Sequence, residues 1–225
     1  EHESGKPHLK YSQYWTEYNY RFRMPSVESK AVGAENMWYS FDYKNIHFVS
    51  ISTETDYPNC PFAEHYGDQV DWLRNDLKNV DRSITPHVIA VGHRPIYSTV
   101  NNTYVQKAIP ALREAVEKLF YTYKVDLFIV GHVHAYERML PMYNGKITSQ
   151  NYKNPPSTVE IVNGAAGDIE GFTFPWIEPR APWCVFRKTN SSGYGVLSVT
   201  DETLEWNYYL SESNKIIDTF TIEKS

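Results

Sequence analysis

Two short stretches decide the fold, HVIAVGH at residues 87–93 and VDLFIVGHVH at residues 125–134. Each is an apolar run that ends in glycine and histidine, and such runs are typical of strands buried in a parallel sheet. Between them, the spacing of apolar residues predicts a helix over residues 109–123. A strand, a crossover helix and a second strand form a βαβ unit. We therefore expect the strands at 87–91 and 125–130 to be parallel neighbours.

Working outward, the pattern predicts further elements on both sides of this unit. Upstream, residues 37–42 and 45–53 read as a hairpin, and residues 67–80 read as an amphipathic helix. Downstream, short strand-like runs separated by Gly, Asn and Asp predict an antiparallel meander over residues 159–162, 195–200, 204–210 and 216–222. The first 35 residues read as a surface excursion. With no repeat or linker in the sequence, we expect residues 1–225 to form one domain.

Composition narrows the class of partner. The 225 residues are 41% hydrophobic and 22% charged, and the formal net charge is −5. That balance gives no electrostatic reason to expect binding to nucleic acid or to an anionic membrane. No apolar run approaches the ~20 residues of a transmembrane helix, and residues 1–10 do not resemble a signal peptide. A small molecule or a protein surface is the expected partner.

Two cysteines and two sequons bear on the compartment. Cys60 and Cys184 can form one disulfide or remain two buried thiols, and the spacing does not decide between them. Asn101 and Asn190 each begin an Asn-x-Ser/Thr glycosylation sequon. Together these features favour a secreted or lumenal protein.

Three of the eight histidines occupy equivalent places, directly after the two central strands. His93 follows the first strand, and His132 and His134 follow the second. Because ligands bind at the carboxyl edge of parallel strands, we expect the three imidazoles to lie together there. Neutral imidazole is the commonest metal ligand, so the pattern predicts a metal site, the alternative being three hydrogen-bonded loop histidines. For the other histidines we predict structural roles (His47, His87), solvent exposure (His8, His65) or no assignable role (His2).

Three strings carry a resemblance to a known family, VGHRPIYS at 91–98, GHVHAYER at 131–138 and VNGAAGDIEG at 162–171. In this order they resemble the purple acid phosphatases, which belong to the calcineurin-like metallophosphoesterases. The resemblance implies an α/β fold, a layered sandwich of mixed β-sheets flanked by helices, here without its N-terminal βαβ portion. By itself, the glycine-rich part of the third string, residues 163–168, reads as a tight turn beside the site or, less well, as an anion cradle.

The resemblance also implies a site and a reaction. It assigns His93 and His132 to a divalent metal (Fe, Zn or Mn) and His134 to a ferric ion. It makes His2 the residue that contacts the substrate phosphate and protonates the leaving group, and it places Tyr97 in the pocket wall. The implied activity is that of an acid phosphatase, hydrolysis of small phosphate monoesters by a hydroxide formed at the dinuclear centre.

The sequence also departs from the family pattern. The upstream motifs that carry the acidic ligands and the iron-bound tyrosine are absent, and Glu1 stands where an asparagine ligand is expected. Glu1 is thus a replacement ligand, or an N-terminal segment is missing. Asn101, Asn102 and Tyr104 stand where plant relatives carry two histidines. Three alternatives remain open: a phosphodiesterase, a non-catalytic binding or scaffold protein, and one piece of a longer enzyme, which alone would bind metal poorly.

Overall fold

A computed structural model describes residues 16–34, 36–60, 68–167, 169–173 and 175–224. Within these ranges the helices are α1 (Thr16–Arg21), α2 (Gln69–Lys78) and α3 (Thr103–Tyr123). The first six strands are β1 (Tyr39–Tyr43), β2 (Ile46–Ser50), β3 (His87–Gly92), β4 (Leu127–Val130), β5 (Tyr136–Met139) and β6 (Met142–Tyr143). The remaining strands are β7 (Lys146–Ile147), β8 (Val159–Asn163), β9 (Cys184–Lys188), β10 (Gly193–Val199), β11 (Thr203–Leu210) and β12 (Ile216–Glu223).

A seven-stranded mixed sheet forms the centre of the fold. Its strand order is β1-β2-β3-β4-β8-β5-β9, with β2, β3, β4 and β8 parallel to one another and β1, β5 and β9 antiparallel to their neighbours. Strands β3 and β4 pair in parallel, with Ile89 opposite Leu127, and α3 crosses between them. The predicted βαβ unit and the predicted β1–β2 hairpin are therefore confirmed.

The main sheet is covered on both faces. Along β3, Val88 and Ala90 pack against the core that α2 and α3 complete. Ile89 belongs to the opposite core, which includes Trp206 and Phe220 of a three-stranded antiparallel sheet, β10-β11-β12. The architecture is thus helices, mixed sheet and second sheet in layers, as expected. Among the helices in the described ranges, none has the length and apolarity required to cross a bilayer.

Helix α3 begins six residues before the predicted start at residue 109. The apolar spacing predicts a start one residue before Pro110, and proline is favoured in the first turn of a helix. In the structure Pro110 lies inside the helix, and Asn102 is the N-cap, its side chain accepting hydrogen bonds from the backbone amides of Tyr104 and Val105. An asparagine that caps two amides is a start signal that the apolar spacing does not contain.

The C-terminal pattern was partly misread. The three last strands form the predicted meander, but residues 159–163 are β8, which pairs in parallel with β4 inside the main sheet. Strands β5 and β9 were not predicted; they complete that sheet. β8 is buried nearly throughout, so its apolar run belongs to a covered parallel strand rather than to a half-exposed hairpin.

The two cysteines do not form the disulfide that the sequence left open. They are not bonded to each other, and they contact different neighbours. The Sγ of Cys60 lies 3.2 Å from the carbonyl oxygen of Glu54, after β2, whereas Cys184 is buried on β9, 3.9 Å from Glu137 Oε2. Because β9 and β2 are separated by four intervening strands, each spaced by about 4.8 Å, the two thiols are held in separate parts of the sheet.

Candidate metal and substrate pocket

The loops after β3 and β4 meet at the carboxyl edge of the sheet. The backbone amide of Gly131 donates to the carbonyl of His93 at 3.0 Å, which fixes the two loops side by side. The His132 Nδ1 then lies 3.1 Å from His93 Nε2, and the two ring centroids are 4.8 Å apart. His132 has a φ of 58°, in the left-handed region that non-glycine residues rarely adopt. Such strain persists only where neighbouring contacts enforce it, as at many functional sites.

His134 is held by a separate loop. Its backbone amide donates to the Thr173 hydroxyl at 2.9 Å, and its Nδ1 lies 2.7 Å from the carbonyl oxygen of Gly171. A carbonyl can only accept, so Nδ1 carries the proton and the lone pair of the neutral ring is on Nε2. This arrangement, in which one ring nitrogen donates to a carbonyl, is the usual one for histidines that ligate metals through the other nitrogen.

The three imidazoles line one open pocket of about 450 Å³. The remaining wall comes from the start of α3 and from the loop that supports His134. These lining residues are Asn102, Tyr104, Val105, Glu170, Gly171, Phe172 and Thr173. The predicted convergence of the three histidines is therefore confirmed, while their roles stay predictions.

A buried arginine connects two of the pocket residues. Arg94 is 1% exposed, and its Nε donates to Glu54 Oε1 at 2.7 Å. Its Nη1 lies 2.8 Å from His132 Nε2, and its Nη2 donates to the Tyr104 hydroxyl at 2.9 Å. Since a guanidinium can only donate, His132 accepts at Nε2, and its neutral ring then donates from Nδ1 to His93. The Glu54 carboxylate balances the buried positive charge.

The histidines suit a metal by their chemistry. Nitrogens that share a zinc ion at about 2.1 Å in a tetrahedral site are about 3.4 Å apart, close to the 3.1 Å between His93 and His132. However, the Arg94 contact leaves the proton of His132 on Nδ1, and in the described part of the chain no three His, Cys, Asp or Glu side chains group to hold a metal. The described residues therefore fit a metal centre in part and do not complete one.

Two buried carboxylates hold the loop that follows His93. Glu137 accepts from the hydroxyls of Ser98 and Thr99 and from the Thr99 amide. Glu160 accepts from the Ile96 amide at 2.9 Å. Burial raises the pKa of both carboxyls, and in each case these hydrogen bonds counteract the shift only in part. The loop is thus anchored from beneath by β5 and β8.

Tyr97, predicted to line the substrate pocket, lies elsewhere. Its side chain is buried, its hydroxyl donates to Glu117 on α3, and the hydroxyl oxygen accepts from the Gly145 amide at 2.9 Å. Burial, followed by the Glu117 contact, raises the pKa of the Tyr97 phenol. The loop after His93 directs this ring toward the helix-side core, so Tyr97 does not line the pocket of the three imidazoles.

Other predicted residues fall into three groups. Structural roles are confirmed for His47, which bonds to two aspartates, and for His87, which bonds to the Thr200 carbonyl. Asn101 and Asn190 are exposed, and their glycosylation stays a prediction. The predictions for Glu1, His2, His8, His65 and Asp168 concern positions outside the described residues.

Arg94 and Tyr104 were not predicted as site residues. Arg94 directly follows His93, but its burial depends on Glu54, forty positions upstream, which the pattern did not link to it. Tyr104 lies before the predicted start of α3, so its place on the first turn was not visible. The Asn102 cap was the signal that could have located it.

Comparisons with known proteins agree with this geometry. Residues 2–136 match the family model of the calcineurin-like phosphoesterases, and residues 157–219 match the model described as iron/zinc purple acid phosphatase-like protein C. Acid phosphatase A of Cryphonectria parasitica is 32% identical over 93% of the chain, and probable purple acid phosphatase 20 of Arabidopsis thaliana is 34% identical over 96%. A purple acid phosphatase from yellow lupin seeds has a similar structure, with a TM-score of 0.78, 29% identity and 92% of this chain covered.

The chain spans less than half of each of these relatives. It corresponds to 43% of the Cryphonectria protein, 48% of the Arabidopsis protein and 35% of the lupin chain.

Proposed function

The chain belongs to the purple acid phosphatases, within the calcineurin-like phosphoesterases, and on that premise we propose that the whole protein is an acid phosphatase acting on small phosphate monoesters. The single observation that carries the proposal is the convergence of His93, His132 and His134 on one open pocket at the carboxyl edge of a parallel sheet. A cleft lined by imidazoles suits a metal-assisted hydrolase.

The proposed centre holds one ferric ion with one divalent Fe, Zn or Mn ion. His93 and His132 would hold the divalent ion and His134 the ferric ion, with anionic ligands from outside the described residues. When bound, such a pair lowers the pKa of water and neutralises charge on phosphoryl oxygens. His134 offers Nε2 to the pocket, whereas His93 Nε2 and His132 must first give up their contact with each other, or His132 its contact with Arg94. We assign phosphate contact and proton donation to the leaving group to His2.

The compartment is also part of the proposal. A secreted or lumenal location would suit an acidic optimum and would allow glycans at Asn101 and Asn190, both of which are exposed. Cys60 and Cys184 are not bonded to each other in the structure, so a disulfide does not support this location.

The test is hydrolysis of p-nitrophenyl phosphate at pH 5 by the full-length protein. We expect H132A to lower kcat/KM by at least about 100-fold, because removing a ligand should cost more than disturbing the contacts around one. The matched control is H47Q, which alters a histidine on β2 that bonds to Asp42 and Asp76, outside the pocket. It should keep wild-type activity below its unfolding temperature. Equal activity of H132A and wild type would overturn the proposal.

A second candidate is a non-catalytic binding or scaffold protein. It is favoured by the finding that the described residues do not complete a metal site. Metal analysis of the purified full-length protein separates the two: about two metal ions per chain support the enzyme, and none supports the scaffold. Assaying a phosphodiester, bis-p-nitrophenyl phosphate, beside the monoester distinguishes a phosphodiesterase from a phosphomonoesterase.

A further inference from the structure

Glu160 is a buried carboxyl group with one oxygen unpaired. It lies on β8 and is 3% exposed, and its Oε1 accepts from the backbone amides of Ile96 at 2.9 Å and Tyr97 at 3.4 Å. Among the described residues, its Oε2 has no hydrogen-bond partner. Buried polar oxygens are nearly always paired, because an unpaired one bears the whole cost of losing its hydration. A partner for Oε2 is therefore expected at this position.

A small cavity lies beside this carboxyl group. Glu160 lines it from β8, Glu117 lines it from α3, and Ile96 and Tyr97 line it from the loop that follows His93. The cavity leaves about 10 Å³ in which the centre of a water molecule can lie. One water molecule needs about that much room. The size of the cavity therefore suits a single water.

The groups around the cavity can hold a water by hydrogen bonds. An internal water usually has two to four polar partners. Besides Glu160, the cavity is lined by the Glu117 carboxylate, which accepts from the Tyr97 hydroxyl, and by Thr158, whose hydroxyl donates to the Val125 carbonyl at 2.8 Å. A carboxylate and a hydroxyl each offer several lone pairs, so both can accept a further hydrogen bond from a water.

Both protonation states of Glu160 require a partner at Oε2. Burial raises the pKa of Glu160 well above its usual range, and the charges of Glu137 and Glu117 add to the shift, while the bonds from the Ile96 and Tyr97 amides oppose it. Since Oε1 accepts from both amides, the proton of the neutral carboxyl is on Oε2 and needs an acceptor. An ionised Oε2 needs a donor instead. A water molecule can be either, whereas a cation suits only the ionised form.

We propose that this cavity is a binding site for one internal water molecule, which joins Glu160 Oε2 to the Glu117 carboxylate. The water ties β8 to α3 beneath the loop that follows His93, beside the direct hydrogen bond from Tyr97 to Glu117. The cavity shares no lining residue with the pocket of the three imidazoles. The inference is therefore independent of the proposed phosphatase function, and its test does not require an active enzyme.

The experiment compares crystal structures of the full-length wild type, E160Q and E160M at a resolution that shows ordered waters. We expect one water in the wild-type cavity, at about 2.7–3.2 Å from both Glu160 Oε2 and a Glu117 oxygen. E160Q is the matched control. It keeps an acceptor for the Ile96 amide and an N–H donor for the cavity, so the water should remain. E160M has a similar length without these polar atoms, and the water should be lost.

Several results would overturn the inference. These are an empty wild-type cavity, a protein side chain paired with Oε2, a metal ion recognised by oxygen contacts shorter than hydrogen bonds, or a water that persists in E160M. Magnetic relaxation dispersion of the solvent, which counts long-lived internal waters, repeats the test in solution. The count should fall by one from E160Q to E160M, and equal counts would refute the site. If E160M does not fold, the wild-type and E160Q structures still decide, because both must contain the water.

Discussion

His47 illustrates at the scale of one residue how neighbouring charges decide the protonation of a buried group. Its Nδ1 lies 2.6 Å from Asp42 and its Nε2 lies 2.9 Å from Asp76. Burial by itself would lower the pKa of His47, but the hydrogen bonds and charges of Asp76 and Asp42 outweigh it, and the pKa is raised. A raised pKa in the folded state means that the protonated ring stabilises the fold.

The sign of this linkage gives a prediction for pH. The stabilisation by His47 is fully present below the pKa of the unfolded chain, about 6.5, and is lost as the pH rises through the folded pKa. We therefore expect H47Q to lower the free energy of unfolding more at pH 5.5 than at pH 9, as measured by urea denaturation. H87Q should show the opposite trend, because burial lowers the pKa of His87. Equal losses at both pH values for H47Q would contradict the assignment.

Residue roles could be predicted from the sequence only where the relevant neighbours are close along the chain. The three pocket histidines follow strands that the apolar runs had already located. The direction of the Tyr97 ring could not be predicted, because its partner Glu117 lies on α3, whose position relative to the loop is set by tertiary packing. Arg94 was missed for the same reason, since Glu54 is distant in sequence.

At the scale of elements, Gly164 controls how closely the end of β8 approaches the turn that carries His132 and His134. A Cβ at this position would lie 2.0 Å from the carbonyl oxygen of Val133, far inside van der Waals contact. The Gly164 amide also donates to the Ala135 carbonyl at 3.1 Å. The glycine-rich string thus lets the end of β8 pack directly against the turn that carries His132 and His134.

Replacing this glycine should displace that turn. We expect G164A to lower the free energy of unfolding by about 2–4 kcal/mol, the range of steric and backbone effects in a packed region, and to reduce the proposed phosphatase activity of the full-length protein. G131A is the matched control, because its Cβ would meet nothing nearer than His93 Nδ1 at 3.8 Å, an ordinary contact. Thermal unfolding of the two variants decides the matter. If G164A were as stable as G131A, the close packing of Gly164 against the Val133 carbonyl would be refuted.

Elements were predictable where burial and periodicity agree. The buried strands β3 and β4 and the inner face of α3 followed from apolar patterns. Strand β5 did not, because Glu137 and Arg138 are buried in it, and charged residues do not indicate a core strand. Their burial depends on partners in distant segments, Thr99 for Glu137 and Asp218 for Arg138. Only the folded structure supplies that information.

At the scale of the whole molecule, we propose that the described residues fold as one unit across both sheets. One apolar core contains Ile89 and Leu127 of the main sheet together with Trp206 and Phe220 of the second sheet. The rings of Tyr136 and Tyr208 stack between the sheets with centroids 3.8 Å apart. Each sheet buries the apolar side chains of this core only by packing against the other. This favours a single cooperative unfolding transition.

A buried ion pair joins the same two sheets and provides the test. Arg138 on β5 donates from Nε and Nη2 to both carboxylate oxygens of Asp218 on β12, each at 2.7 Å, and Tyr136 donates to the same carboxylate. Removing one partner from such a pair leaves an unbalanced charge in the core, whereas replacing both with apolar residues is often neutral. We therefore expect D218L to lower the free energy of unfolding by about 3–5 kcal/mol and R138M/D218L to recover most of that loss.

Two probes make the measurement specific to one folding unit. In urea, far-UV circular dichroism reports on all elements, while the fluorescence of Trp206, isolated by comparison with W206F, reports on the second sheet. If the two sheets fold together, D218L lowers the urea midpoint of unfolding by the same amount in circular dichroism and in Trp206 fluorescence. The reason is that the unpaired charge of Arg138 lies between β5 and β12 and so destabilises both sheets. A shift confined to the Trp206 signal would mean that the second sheet unfolds separately, and the proposal of one cooperative unit would fail.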